Sequence, residues 1–183
     1  CMLAEAQQVG RVDVLIDAFA SIASDFPSAR LYLVGKPDNA VYTEQLKAQV
    51  ERLALGDRVV FVGEVSRAEL AEYMGRARVL VLPSHSEGLG RVLVEAMMCG
   101  TPGIGSRVGG IPDVIREGEN GYLVPPGDAR ALSTALEKAL RDPDIEAMGA
   151  RARAFAEQFF SEAGYVEGHR QMIEAALSAC EGT

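Results

Sequence analysis

The segment "VLVL", Val79 to Leu82, is apolar at every position and runs directly into "PSHSEGLG", Pro83 to Gly90. A strand with one solvated face alternates apolar and polar residues. A strand without that alternation is covered on both faces, as in parallel sheets sandwiched between helices. The same kind of segment recurs along the chain at "LYLVG" (Leu31 to Gly35), "RVVFVG" (Arg58 to Gly63), "GIGS" (Gly103 to Ser106) and "YLV" (Tyr122 to Val124). Helical periodicity fills the intervals. Val12, Leu15, Ile16, Phe19 and Ile22 share one helical face, and Leu46, Val50 and Leu53 mark a second helix that Gly56 is expected to close. Ser66 and Glu69 have the spacing of a capping box opening a third helix, which Gly75 is expected to stop, and Asp128 is placed to cap a helix reaching about Arg141. Two further helices are expected after it. Strand and helix in alternation, with short connections, predict an α/β fold: a single doubly wound parallel sheet of about six strands with helices on both faces. The opening "CMLAEAQQVG" offers only Met2 and Leu3 as strand-like, so the first strand is expected right at the terminus of a chain cut from a longer protein.

A length of 183 residues suits one domain with a substantial core, and 48% hydrophobic residues is too many for a disordered chain. The formal net charge of −8 repels nucleic acid and anionic membrane alike, so neither is expected as a partner. Cys1, Cys99 and Cys180 form no C-x-x-C pair, and His85 and His169 are too few for a histidine metal cluster. No apolar run approaches the roughly 20 residues of a membrane span. A cytoplasmic location and no bound metal are the expectations. Cys99 reads as a small buried residue, Met97 and Met98 as packing, and Lys36 as solvated.

In a doubly wound sheet, ligands bind beyond the carboxyl ends of the strands, which is where Pro83 to Gly90 must lie. Gly88 and Gly90 let backbone amides at the next helix's N-terminus approach a ligand closely, and those amides favour phosphate. Glu87 stands before that helix and Glu95 inside it. Carboxylates facing phosphate would repel it; carboxylates facing hydroxyls accept hydrogen bonds. Pyrophosphate on the amides with a sugar at either end, a sugar nucleotide, satisfies both. The same acids also fit a simpler role, with Glu87 complementing a helix N-terminus and Glu95 solvated. Spacing alone leaves both open. The glycines Gly103, Gly105, Gly109 and Gly110 lack the spacing of a dinucleotide fingerprint.

The run "EGLGRVLVEAMMCGTPGIGSRVGGIPDVIREGENGYLVPPGDARAL" resembles the retaining glycosyltransferase family 4 (glycosyl transferases group 1), of GT-B fold, whose signature is two glutamates separated by seven residues. "VDVLIDAFASIASDFPSARLYLVG" and "RVVFVGEVSRAELAEYMGRARVLVLPS" extend the likeness back to about Val12. The resemblance is to the second, donor-binding domain only, and it implies an acceptor-binding N-terminal domain as partner. It implies that Glu95 holds the ribose hydroxyls and that Glu87, the catalytic candidate, touches those of the donor sugar. Gly88, Leu89 and Gly90 would offer amides to sugar and phosphate, and Val65 would lie near the base. The implied reaction is sugar transfer with retention of anomeric configuration, generally without metal or other cofactor, the leaving diphosphate helping to deprotonate the acceptor.

One departure stands out. The family carries an arginine and, five residues on, a lysine that neutralise the pyrophosphate; here Glu5 or Ala6 stands near the first position and Gly10 or Arg11 near the second. Arg11 either serves in their place or is an exposed helix-start arginine. A non-catalytic nucleotide-sugar-binding module is therefore the alternative function, and a sugar-nucleotide epimerase fits the glutamate pair less well. The segment "AGYVEGHRQMIEAALSAC" is expected to expose an apolar strip, inviting dimers through Tyr165 to Cys180.

Overall fold

The first strand of the chain is the middle of the sheet. In the computed structural model, which describes residues 1–5, 11–36, 39–162, 164 and 170, the strands are β1 (Met2–Glu5), β2 (Leu31–Val34), β3 (Val59–Gly63), β4 (Val79–Leu82), β5 (Gly103–Ser106) and β6 (Gly121–Val124). They alternate with helices α1 (Val12–Ile22), α2 (Ala40–Arg52), α3 (Arg67–Arg76), α4 (Arg91–Met98), α5 (Ile111–Val114), α6 (Ala129–Arg141) and α7 (Ile145–Phe160). Every pairing is parallel, in the order β3-β2-β1-β4-β5-β6. β1 pairs with β2 on one side and β4 on the other, so the strand order reverses at the β1/β4 boundary. That boundary is the switch point where such sheets bind ligands.

Both sheet faces are covered, as the unalternating strands require. Val79 and Val81 of β4 join one core with α1, α2 and α6, whereas Leu80 and Leu82 join a second with α3, α4, α5 and much of α7. Met2, Leu3 and Ala4 are buried to 2% exposure or less. A strand with so little apolar length is held there by its two neighbours. The helical face of α1 is buried throughout, and α1 packs on α6 while α4 packs on α7.

Local chemistry sets most helix ends. Ser66 and Glu69 make the capping box reciprocally, Ser66 Oγ accepting from the Glu69 amide at 3.2 Å and Glu69 Oε2 from the Ser66 amide at 2.8 Å. Asp128 caps α6 by accepting from the Ala131 amide at 2.9 Å. Two ends differ from expectation. α3 continues through Gly75 to Arg76. α2 is closed by Ala54 rather than Gly56: Ala54 adopts φ 51°, its amide donates to the Glu51 carbonyl, and the Leu55 amide donates to that of Val50. These are the two bonds of a Schellman motif with alanine where glycine is usual. Gly56 begins a single 3-10 turn ending at Arg58. The short α5 was not evident from periodicity, because four residues with a proline at the start present no repeat.

Of the two helices expected after α6, α7 is the first, and Tyr165 to Cys180 falls outside the fully described residues. Among the described residues, no helix is long and apolar enough to cross a membrane.

Candidate functional site at the switch point

The loop after β4 carries the site. Gly90, at its end, is the residue before α4 and has φ 75° and ψ 50°, a left-handed conformation costly for any residue with a β-carbon. A β-carbon there would also crowd the side chains of Ile111, Leu82 and Leu93 at 3.2–3.3 Å. Glycine at this position therefore leaves α4 without a side-chain cap, whereas Asn39, Ser66 and Asp128 cap α2, α3 and α6. The amides of Leu89, Gly90 and Arg91 take no partner from the described fold. Unfilled amides at the positive end of a helix dipole attract an anion.

The loop is held from below. Gly109, at φ 52°, brings its backbone so close to the Glu87 carbonyl that a β-carbon would overlap it, and the Gly110 amide donates to the Gly88 carbonyl at 2.6 Å. These two glycines buttress the loop, which is a packing role rather than a dinucleotide fingerprint. Gly103 and Gly105 work similarly on β5: β-carbons there would meet Leu93 and Ile111 at 2.6 Å, so their absence lets α4 and α5 lie close on the sheet.

Beside the loop opens a cleft of about 350 Å³ at the carboxyl ends of the central strands. β1 and β2 contribute Leu3, Ala4, Val34 and Gly35; the β3–α3 side contributes Glu64, Val65, Leu70 and Met74; the loop and α4 contribute Glu87, Gly90, Arg91, Val92 and Glu95. The lining combines apolar side chains with a loop glycine, three carboxylates and an arginine. Glu95 is exposed, and its carboxylate has no hydrogen-bond or ion-pair partner among the described residues. Glu87 is half-buried; its Oε1 accepts from the neighbouring Gly88 amide at 3.1 Å, and the buried Ser84 hydroxyl lies 3.5 Å from its Oε2.

Of the residues singled out by sequence, the cleft unites Glu87, Gly90, Glu95 and Val65. Gly88 and Leu89 are exposed on the loop outside the lining, and the Gly88 amide is already engaged by Glu87. Arg11 does not line the cleft. Its guanidinium bonds Asp13 through Nε at 2.9 Å and Nη2 at 2.9 Å, and Nη1 meets His85 Nε2. The Asp13 hydrogen bond, only partly offset by desolvation, raises the Arg11 pKa. Partial burial pushes the Asp13 carboxyl up, but bonds from Arg11, its charge and the Tyr42 hydroxyl outweigh this and leave it below the usual carboxylate range. His85 is thus a loop-side contact of Arg11, with Gly127 packed against its ring. Lys36 is exposed and Met97 fully buried. Cys99 is half-buried rather than buried, and desolvation pushes its thiol up.

Sequence reasoning missed Leu3, Ala4, Gly35, Glu64 and Arg91. The first four join the cleft through strand order alone. Arg91 carried a readable signal, standing directly after the last loop glycine.

Comparison with known proteins bears on the family and the fold. The family model described as glycosyl transferases group 1 matches residues 1–157. The chain is 40% identical over 158 residues to the N-acetyl-alpha-D-glucosaminyl L-malate synthase of Bacillus anthracis, covering 85% of this chain and 40% of that protein. An Anabaena protein, HepE, crystallised with UDP, superposes with a TM-score of 0.81 at 29% identity, covering 97% of this chain and 48% of that one. The C-terminal domain of a glycosyl transferase group 1 protein from Francisella tularensis shares the fold, with a TM-score of 0.80 at 20% identity over 88% of this chain and 86% of that domain. The chain spans less than half the length of the curated relatives it matches. With the family model spanning the sheet and both cleft glutamates, the chain belongs to the glycosyl transferases group 1 family.

Proposed function

We propose that this chain is the donor-binding domain of a retaining glycosyltransferase and that its cleft holds a nucleoside diphosphate sugar. One observation carries the reading: Glu87 and Glu95 line a single cleft on either side of the uncapped N-terminus of α4. The diphosphate sits against the amides of Leu89, Gly90 and Arg91, where the helix dipole favours it. The base lies against the apolar side chains of Val65 and Met74, which line the same cleft. Glu95 accepts hydrogen bonds from the ribose hydroxyls, and Glu87 from those of the donor sugar, its Oε1 anchored by the Gly88 amide. The UDP in the Anabaena neighbour and the glycosyltransferase and sulfoquinovosyl transferase names of other curated relatives support a sugar-nucleotide donor.

In the whole protein, a facing domain presents the acceptor, and the isolated chain performs no transfer, because positioning supplies a large share of the rate. A second reading, binding without catalysis, draws on Glu5 and Gly10 standing near positions where the resemblance implies cations.

Calorimetric titration of the chain with UDP, GDP and ADP and their sugar derivatives tests the proposal. At least one should bind at high micromolar to millimolar strength, roughly −4 to −6 kcal/mol. No heat from any of them at millimolar concentration would refute it.

A further inference from the structure

Resting on the donor reading above, we infer that Arg91 supplies the positive charge for the donor's diphosphate. The described cleft lining carries three carboxylates, Glu64, Glu87 and Glu95, and one cation, Arg91. A nucleoside diphosphate entering such a cleft needs that cation, because amides alone do not offset the neighbouring acids.

Arg91 is exposed, and its placement is mildly unfavourable without an anion. It is the first residue of α4, where the helix dipole opposes a positive charge. Helical side chains lean toward the N-terminus, which carries this guanidinium back toward the loop amides. Glu87 and Glu95 lie four residues away on either side and share the cleft, yet neither forms an ion pair with Arg91, and no hydrogen bond engages its side chain among the described residues. A local rule is broken with no compensating contact in the protein, which is the pattern expected where a ligand completes the arrangement. Arg11 is neutralised by Asp13 and held at His85 outside the cleft, and Lys36, next to the lining residue Gly35, is exposed and outside the lining. The planar fork of a guanidinium suits two phosphate oxygens at once. The chain's diphosphate-binding charge thus resides on α4 itself.

Titration of the 183-residue chain with whichever of UDP, GDP or ADP binds best, at low and high salt, tests this. Arg91→Gln should weaken the diphosphate about tenfold or more and flatten the salt dependence. Arg91→Lys should restore part of the affinity, and Arg11→Gln should leave it within about threefold of wild type. Undiminished affinity in Arg91→Gln, or a loss with unchanged salt dependence, would overturn the inference while leaving the donor reading intact. Absence of binding by the wild-type chain to all three nucleotides and to their sugar derivatives would overturn both.

Discussion

A β-carbon on Gly109 would stand on the carbonyl oxygen of Glu87, closer than any non-bonded contact allows. Two segments more than twenty residues apart in sequence thus fit only because one has no side chain. Gly109→Ala should push the loop away from α5 and cost about 2–4 kcal/mol, combining left-handed strain with the clash. Gly118, at φ 77° with open space around it, is the control: its alanine variant incurs the strain alone, about 1 kcal/mol. Urea unfolding of both variants separates the two costs. Equal losses would mean the loop is not buttressed by Gly109.

The Schellman motif at the end of α2 makes the opposite forecast. Ala54 holds φ 51°, a conformation glycine adopts freely. Ala54→Gly should stabilise the chain by up to about 1 kcal/mol, the relief of native strain exceeding the extra freedom of the unfolded chain. A lowered unfolding midpoint would contradict the assignment of Ala54 as the left-handed residue.

Asp13 links charge to stability. Its carboxyl is held below the ordinary value by Arg11 and Tyr42 despite partial burial. A depressed folded pKa adds stability that is present above the unfolded carboxylate value and lost as pH falls through the folded one. Asp13→Asn should therefore cost stability at neutral pH, no more than about 1 kcal/mol for a pair whose side chains keep about a third of their surface in solvent. The difference should vanish in acid, below the usual carboxylate range. Thermal melts of both proteins across pH check the sign, and a cost that grows toward low pH would reverse it.

The two glutamates should separate by ligand. Glu87→Ala should cost more with the nucleotide sugar than with the free diphosphate, since its proposed partner is the sugar. Its loss also frees the Gly88 amide, which softens the effect on the diphosphate. Paired titrations with both ligands read this directly, and equal losses would mean the roles of Glu87 and Glu95 are misassigned.

Legibility from sequence followed range. Four unalternating apolar residues identified β4, and its neighbours Ser84 to Gly90 identified the ligand edge, because both signals are local. The caps at Ser66 and Asp128 were equally local and correct. The α2 terminus was not, since the glycine at position 56 is the commoner left-handed residue and Ala54 wins only through the two bonds that close the motif. The cleft wall from Leu3, Ala4, Val34 and Gly35 depends on strand order, which periodicity does not encode. The Arg11 contact with His85 spans 74 positions and has no sequence signature. Arg91 was readable, but an arginine at a helix start attracts no notice until the structure leaves it unpaired in an acidic cleft.

The central claim is that Glu95 grips a ribose diol beside a diphosphate held by α4. A double-mutant cycle measures it, pairing wild type and Glu95→Ala with the best-binding nucleoside diphosphate and its 2′,3′-dideoxy analogue. Either change alone should weaken binding by about 1.5–3 kcal/mol, as for a hydrogen bond to a charged group. Both together should cost little more than one, because each removes the same contact. Losses that simply add, or a Glu95→Ala variant that binds the intact nucleotide as wild type does, would contradict the account.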